Sequence, residues 1–316
     1  MTMPPEFDRI ARYFRPLAGP GGLDLLDDAA LIDPPAGRQI VIAADAMVEG
    51  VHFLPDDPPD LVARKLLRTN LSDLAAMGAE PLGYLTTISV RRDTPEAWFA
   101  AFSAGLAADQ QQFGLNLLGG DCTSTPGPVS LSLTILGHVA PGQAVRRIGA
   151  RPGDEIWVSG TIGDGALGLM AATGEIDDPD GFLADRYRLP QPRLGLARPD
   201  LVRACLDVSD GLVQDLGHLC RAGQVGAQVF APALPRSKAA QRFGDEVLGL
   251  CLTGGDDYEL LMAVGPRDAP ALATHARALG IKVSRIGMFT QGAPVVRVLD
   301  ARGATMALPR GGWSHF

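Results

Sequence analysis

Four short apolar runs that lead into aspartate constrain this chain more than any other feature. They span residues 40–45, 115–121, 204–210 and 250–257, and each closes with at least one aspartate. Apolar runs of this length that stop at Gly or Asp predict buried strands. Open α/β folds bind ligands beyond the carboxyl ends of such strands. Because carboxylate oxygens suit hard divalent cations, the pattern favours a magnesium-bound polyphosphate as the ligand.

The order of the predicted elements indicates an α/β (α+β) protein with two domains. A chain of 316 residues is long for one domain of about 150 residues. Strands and helices alternate in both halves. The segment 139–153 is rich in Pro, Gly and Arg and is interpreted as the junction, which gives domains 1–140 and 141–316.

Composition excludes several classes of function. The net charge of -8 argues against a nucleic-acid partner, and it requires metal ions if the ligand is a phosphate. The four cysteines form no C-x-x-C pair, so zinc and redox motifs are absent. Neither a signal peptide nor an apolar stretch of membrane-spanning length is visible, which predicts a cytoplasmic protein.

Several elements can be predicted individually. Helical periodicity predicts an amphipathic helix over 6–18 and a helix from Asp60 to Met77. Thr94-Pro95 is interpreted as the cap of a helix that ends at Gly114. Further strands are expected at 82–90, 115–119, 129–138, 155–159, 204–208, 225–230, 258–264, 283–287 and 294–298, and further helices at 164 onward, 210–221 and 268–279.

Three acidic or imidazole side chains of the first half have more than one interpretation each. Asp45 is either a turn former or a ligand, and its recurrence after other strands favours the ligand. His52 is either a core histidine or a donor to substrate, because no second histidine accompanies it. Asp73 shares a helical face with Asn70 among apolar neighbours, so it needs a partner: a metal, a helix N-terminus or an arginine.

Two acidic loops of the second half repeat the pattern. The segment from Asp207 to Gly211 offers two carboxylates and the Ser209 hydroxyl at the start of a helix, for N-capping, for metal binding or for both. In the segment 253–259, Asp256 and Asp257 are expected to face a cationic substrate. Gly119-Gly120-Asp121 in the first half permits close approach of a ligand to the backbone, or simply forms a tight turn.

A glycine fingerprint at Gly163–Gly168 is interpreted as a decoy. It matches G-x-G-x-x-G and lies between a predicted strand and a predicted helix. A dinucleotide site also needs a second strand that ends in an acidic residue, and the region 177–189, where that strand would lie, is not strand-like. There is also no G-x-x-x-x-G-K-[ST] motif.

Taken in order, the motifs resemble the thiamine-monophosphate kinase family, in the superfamily of aminoimidazole ribonucleotide synthetase and selenophosphate synthetase. The matching segments are 27–31, 45–53, 70–79, 119–121, 147–154, 207–212, 254–260 and 313–316. The resemblance spans almost the whole chain. It implies a two-domain aminoimidazole ribonucleotide synthetase-like fold, a homodimer joined through the N-terminal sheets, and ATP bound between the domains.

The resemblance also implies ATP-dependent phosphorylation of thiamine monophosphate with several Mg²⁺ ions. The implied magnesium ligands are Asp28, Asp45, Asp73, Asp121, Asp207 and Asp210, of which Asp45, Asp73, Asp121 and Asp210 are the catalytic group. The implied ATP contacts are Gly120, Asp121, Arg147 and Ser209. The implied thiamine contacts are His52, Asp256 and Trp313. Because the acceptor phosphate is already ionised, direct in-line transfer without a phospho-enzyme is expected.

Three positions depart from the family pattern. Ala43-Ala44 replaces hydroxyl side chains, so a metal contact there has to use backbone carbonyls; Cys122 replaces threonine and Trp313 replaces tyrosine. The alternatives are another ATP-dependent synthetase of the superfamily and a non-catalytic Mg-ATP-binding protein. The absence of cysteine before Cys122 argues against selenophosphate synthetase, and the Ser-His-Phe ending argues against a hydrogenase-maturation relative.

Overall fold

The computed structural model describes residues 5–308 and residue 312. The chain divides into two compact units. Unit 1 contains the residues up to Leu74 together with Ala79–Gly142, and unit 2 contains Ala75–Gly78 together with the residues from Gln143 onward. Each unit holds one β-sheet.

Unit 1 begins with irregular helical turns rather than one amphipathic helix. Helix α1 (Pro5–Arg9) passes into a π-helical turn (Ile10–Phe14) and two 3₁₀ segments (Arg15–Leu17 and Pro20–Leu25). The regular elements that follow are β1 (Gln39–Val48), α2 (Pro59–Ala76), β2 (Glu80–Val90), α3 (Glu96–Phe113), β3 (Asn116–Ser124) and β4 (Ser130–Val139).

The two long helices predicted for unit 1 are confirmed, with one correction at a cap. α2 ends next to Gly78, which adopts a left-handed φ of 67°. α3 ends at Gly114 with φ 69°, as a glycine C-cap requires. Its N-cap is Pro95, and no side chain caps the helix start, so the predicted role of Thr94 is wrong. The Pro95 carbonyl already accepts the first helical bond, from the Trp98 N–H.

The sheet of unit 1 has the order β1-β4-β2-β3, and only the β2–β3 pair is parallel. The prediction that the apolar runs stop at Asp45 and Asp121 is therefore wrong for both residues. β1 pairs with β4 over ten residues and continues beyond Asp45 to Val48. β3 runs through Gly119-Gly120-Asp121 to Ser124. Ladder pairing with a neighbouring strand, which a single sequence does not reveal, extends both strands past the aspartate.

Unit 2 is built on a six-stranded sheet of order β10-β7-β9-β5-β8-β6. Its strands are β5 (Glu155–Ser159), β6 (Ala204–Asp207), β7 (Gly226–Phe230), β8 (Leu260–Val264), β9 (Val283–Thr290) and β10 (Val296–Leu299). Its helices are α4 (Asp164–Ala172), α5 (Phe182–Arg188), α6 (Leu212–Gly223), α7 (Lys238–Gln241), α8 (Leu248–Thr253) and α9 (Ala269–Ala278), with a 3₁₀ turn at Ala231–Ala233.

Strand β8 shows how both faces of this sheet are buried. All five of its residues are inaccessible to solvent. Leu261 and Ala263 belong to one apolar cluster, whereas Leu260, Met262 and Val264 belong to another. This alternation follows from the two-residue period of a strand.

The apolar run at 250–253 is not a strand. It lies in helix α8, so that part of the prediction is wrong. A run of this length fits a buried helix and a buried strand equally well, and periodicity alone does not separate them. The run at 204–207 is a strand as predicted, and Asp207 is its last residue.

No helix in the described part of the chain is long and apolar enough to cross a membrane.

Candidate active site

One face of the unit 1 sheet borders a cavity of 640 Å³ that contains two of the predicted ligands. Asp28, Gly120 and Asp121 line it, together with the hydroxyl-bearing residues Thr87 and Ser132. The register places Asp121 opposite Thr87, and Thr87 opposite Ser132, so their side chains share one face of the sheet. Both carboxylates are exposed there. This cavity therefore offers carboxylate and hydroxyl oxygens, which are the ligands that a hard cation binds.

Gly120 is required by its place in β3. Its φ is 156°, and a Cβ there would lie 1.8 Å from the carbonyl oxygen of Thr86. No other residue fits this position without moving β2. Gly120, which was predicted to allow close approach of a ligand, therefore serves the close approach of two strands.

Asp45 belongs to the opposite face of the same sheet. It pairs with Leu133, whose side chain is fully buried. Its backbone N–H donates to Asn70 Oδ1 at 3.1 Å, and Asn70 Nδ2 donates to the Leu66 carbonyl at 2.8 Å. Asn70 is completely buried, so this pair fixes α2 against β1 next to Asp45. Asp73, half-buried, follows one turn later on α2.

The predicted magnesium ligands of unit 1 therefore form two groups rather than one. β1 and β3 are the two edges of a four-stranded sheet. Edge strands of a four-stranded sheet are three inter-strand spacings apart, which is about 14 Å. Asp45 and Asp121 of one chain thus cannot bind the same ion while the sheet keeps this form.

His52 is held in a defined tautomer by the turn after β1. The backbone N–H of Val48 donates to His52 Nδ1 at 3.0 Å, so the neutral ring carries its proton on Nε2. The Lys65 ammonium donates to the His52 carbonyl at 2.9 Å. Lys65 is buried, and the half-buried His52 is therefore fixed at both its ring and its backbone.

In unit 2, Asp207 ends β6, and Ser209 and Asp210 lie between that strand and α6, which begins two residues later than the predicted helix. The N–H groups of Ser209, Asp210 and Gly211 all donate to Asp215 Oδ2, at 3.0, 3.0 and 3.1 Å. Asp215 thus occupies the N-terminus of α6 from within the helix, where a carboxylate is favourable. Neither Ser209 nor Asp210 caps the helix, because the N-cap residue is Gly211 and it has no side chain.

The electrostatics around Asp215 indicate an excess of negative charge. Burial, and next the charges of Asp207 and Asp210, raise the pKa of Asp215 to about 7, against the opposing effect of its backbone donors. The charges of Asp207 and Asp210 thus act on Asp215, and a cation bound near them would offset this repulsion.

Asp256 and Asp257 have different environments, which corrects the prediction that both face the substrate. Asp256 is half-buried and adopts a left-handed φ of 68°. Asp257 is completely buried, and its carboxylate accepts from the N–H groups of Gly163 at 2.8 Å and Gly165 at 3.0 Å. Burial raises the pKa of Asp257 well above the ordinary value, and the two backbone donors oppose that rise.

Glu259 is buried in an ion-pair network that supports the same loop. Its carboxylate accepts from Arg193 Nε at 2.6 Å, from Arg186 Nη2 at 3.1 Å and from the Ser159 hydroxyl at 2.6 Å. Two guanidinium groups thus compensate one completely buried carboxylate.

Arg147 is exposed and lies near the polar face of α6. The pKa of His218 is lowered, first by burial and then by the charges of Arg221 and Arg147, whereas Asp210 opposes the shift. Arg147 and Asp210 thus act on the same histidine, which is consistent with both belonging to one polar region of unit 2.

Trp313 lies outside the described residues. Within residues 5–308 and 312, no three His, Cys, Asp or Glu side chains are grouped closely enough to hold a metal ion. The sequence alone does not predict the hydrogen-bonding roles of Asp215 and Asp257. The only local signal for Asp215 is an acidic residue in the first turn after a glycine, and nothing local marks Asp257, whose partners lie more than ninety residues away in the chain.

Comparison with known proteins identifies the family. The model described as AIR synthase related protein, N-terminal domain, matches residues 26–139, and its C-terminal counterpart matches residues 151–299. A thiamine-monophosphate kinase of Caulobacter vibrioides is 47% identical over 322 residues, which cover 99% of this chain and 91% of that protein.

Solved structures agree with these matches. Thiamine-monophosphate kinase from Stenotrophomonas maltophilia K279a has a TM-score of 0.81 and 38% identity, over 89% of this chain and 91% of that one. AaThiL complexed with AMPPCP and TMP has a TM-score of 0.76 and 27% identity, over 92% and 91%. The chain belongs to the AIR synthase related family and, within it, to the thiamine-monophosphate kinases.

Proposed function

We propose that this chain transfers the γ-phosphate of ATP to thiamine monophosphate and so forms thiamine diphosphate. The observation that carries the proposal is 47% identity to a curated thiamine-monophosphate kinase across 99% of the chain. The likeness to AaThiL complexed with AMPPCP and TMP supports it, because AMPPCP is an ATP analogue and the complex holds a nucleotide and the acceptor together.

The carboxylates described above fit magnesium by their chemistry. The proposed ligands are Asp28 and Asp121 in the cavity of unit 1, Asp45 and Asp73 on the helix-facing side of its sheet, and Asp207 and Asp210 in unit 2. The raised pKa of Asp215 supports the last pair, because it reports carboxylate charge that a cation would neutralise. When bound, Mg²⁺ neutralises phosphate charge during the transfer. Several ions, rather than one, match this distribution of ligands.

The remaining roles concern binding and orientation. Gly120, Arg147 and Ser209 are proposed to contact ATP. His52 is proposed to donate its Nε2 proton to the acceptor side, since Nδ1 is already used by Val48. Asp256 and Trp313 are proposed to bind the cationic thiamine ring.

The chemistry proposed is direct in-line transfer. Phosphoryl transfer asks the protein mainly for positioning and for stabilisation of charge. The acceptor is an ionised phosphate, so it needs no strong general base. No protein side chain is proposed to carry the phosphoryl group.

A homodimer is proposed to form through the open face of the unit 1 sheet. Ile42 and Leu85 are 62% and 39% exposed on the strands of this sheet, and Ala44 and Ala46 are exposed on β1. These apolar side chains lie on the face of the sheet that borders the cavity, and their burial by a second copy is favourable. Ile42→Glu is expected to convert the dimer to a monomer in light scattering; a wild-type monomer would contradict the proposal.

The function is tested by chromatography of thiamine phosphates after incubation of the purified protein with ATP, Mg²⁺ and thiamine monophosphate. Thiamine diphosphate is expected, and excess EDTA should abolish its formation. Free thiamine, which lacks the acceptor phosphate, serves as the control acceptor. Failure to form thiamine diphosphate while Mg-ATP still binds would redirect the assignment to another acceptor. The cytoplasm, which supplies ATP, is the proposed location.

A further inference from the structure

The backbone N–H groups of the glycine fingerprint at the start of α4 bind a carboxylate of the protein itself. In a dinucleotide-binding loop, such glycines let the backbone N–H groups approach a pyrophosphate. Here the N–H groups of Gly163 and Gly165 donate to the two carboxylate oxygens of Asp257, at 2.8 and 3.0 Å. Because Asp257 is completely buried, this anion site is permanently filled by the chain itself.

The glycines of the fingerprint are explained by packing. A Cβ on Gly165 would lie 2.4 Å from both the carbonyl carbon and the carbonyl oxygen of Asp256. A Cβ on Gly168 would lie 2.2 Å from the Leu183 carbonyl oxygen, in α5. Gly165 therefore lets α4 touch the backbone of Asp256, whereas Gly168 serves the packing of two helices.

The residues on either side of Asp257 are held in an unfavourable backbone conformation. Asp256 and Tyr258 have φ values of 68° and 50°, in the left-handed region that side-chain-bearing residues seldom adopt. Such conformations persist only when their surroundings enforce them. The Asp256 N–H donates to the Ser209 carbonyl at 2.9 Å, and the Tyr258 N–H donates to the Val208 carbonyl at 2.8 Å.

We infer that Asp257 is a positioning residue: by clamping its loop to the N-terminus of α4, it holds Asp256 in the orientation that binds the acceptor. This inference rests on the proposed function for the identity of that acceptor. The Asp256 N–H also donates to the Ser209 carbonyl. The loop of Asp207 and Asp210 has a separate support, because the N–H groups of Ser209, Asp210 and Gly211 donate to Asp215. Loss of the clamp should therefore affect Asp256 more than the acids on the phosphate side.

The first test compares Asp257→Asn with Asp164→Asn. Asp164 is also buried at the start of α4, but it accepts from the hydroxyls of Thr161 and Ser237, neither of which lies in the Asp256 loop. Asp257→Asn replaces one of two accepting oxygens with an N–H₂ group. We expect the KM for thiamine monophosphate to rise about tenfold, as the loss of one such bond implies, with the KM for ATP within about twofold. Asp164→Asn should leave both constants near the wild-type values.

A second pair of variants tests the clamp from the helix side. Gly165→Ala and Gly168→Ala both add a methyl group against a backbone carbonyl, but only the former meets Asp256. Gly165→Ala should reproduce the selective rise in KM for thiamine monophosphate. Gly168→Ala should lower stability in urea without that selectivity. Equal effects on both substrates, or equal effects of the two variants of either pair, would overturn the inference.

Hydrogen exchange separates this inference from the proposed function. In wild-type protein without substrate, the amides of Asp256 and Tyr258 should be protected. Asp257→Asn should speed their exchange at least about tenfold, and Asp164→Asn should not. Unchanged exchange would refute the clamp even if thiamine diphosphate forms. Absence of thiamine diphosphate with the wild-type protein would refute the proposed function and leave the clamp to this measurement.

Discussion

Removal of the Asp109 carboxylate should destabilise unit 1 strongly, because it leaves a buried guanidinium without its counter-ion. Asp109 lies on α3 and is completely buried. It accepts from Arg68 Nε at 2.7 Å, from Arg68 Nη2 at 3.0 Å and from Arg64 Nε at 2.9 Å. The Arg68 side chain is only 1% exposed, so water cannot replace the lost carboxylate.

The magnitude follows from the contacts that remain. Breaking a buried ion pair by removing one partner costs about 3–5 kcal/mol. Arg68 keeps a hydrogen bond to Gln112 Oε1 at 2.8 Å and stacks over the Phe113 ring at 5.2 Å. These contacts place Asp109→Ala near the lower end, at about 3 kcal/mol of lost unfolding free energy. The surface pair Arg38–Glu80 provides the control, and Glu80→Ala should cost less than about 1 kcal/mol.

The assay follows unit 1 alone. Trp98 stacks on Phe102 at 4.8 Å on the same helix as Asp109. Replacement of the other two tryptophans, Trp157 and Trp313, by phenylalanine makes Trp98 the sole fluorescent reporter in a urea titration. The double variant Arg68→Leu/Asp109→Leu should have an unfolding free energy close to that of the wild type, because replacing a whole buried ion pair by apolar residues often leaves stability unchanged. If Asp109→Ala lowers the unfolding free energy by less than about 1 kcal/mol, the buried Arg68–Asp109 ion pair does not stabilise unit 1 as inferred.

Three further predictions concern the proposed site. Asp73→Asn should lower turnover about a hundredfold or more while the urea midpoint stays near wild type; activity within severalfold would exclude Asp73 as a ligand. Asp256→Ala should raise the KM for thiamine monophosphate and spare ATP binding, measured calorimetrically; equal loss of both would contradict the assignment. Because folding raises the pKa of Asp215 from 3.8 to about 7, the native state binds the extra proton, and the unfolding free energy of the metal-free protein should fall as pH rises through that window. In urea titrations, the decrease in unfolding free energy between pH 4 and pH 8 should be smaller in Asp215→Asn than in the wild type, by up to about 4 kcal/mol. An unchanged pH dependence would show that Asp215 does not titrate in this range.

Local signals in the sequence were sufficient for the long helices and for most strands. α2 and α3 carry an apolar face over eighteen residues each and end next to left-handed glycines, so their periodicity and C-caps are readable without a partner. The short run at 250–253 lacks both features, so its sequence predicts a strand, whereas tertiary packing makes it helix α8. Asp45 and Asp121 were placed after strands because the sequence does not record the ladders that extend β1 and β3.

The sequence proposes a set of candidate site residues but not their geometry. The aspartates could be chosen because they recur in family motifs, yet their distribution over two faces of one sheet and a second unit depends on strand order. Asp257 is the clearest case. A carboxylate beside Asp256 suggests a second substrate contact, and only the distant pairing with Gly163 and Gly165 shows that it is internal.

The most direct test of the proposed kinase activity is a single-turnover reaction with ATP labelled in its γ-phosphate. With excess enzyme, Mg²⁺ and thiamine monophosphate, the label should pass from ATP to thiamine diphosphate, and none should be recovered on the protein. Label that remains in ATP, or that appears only as inorganic phosphate, would contradict the proposed kinase activity. Label found on the protein before it reaches thiamine diphosphate would contradict direct transfer.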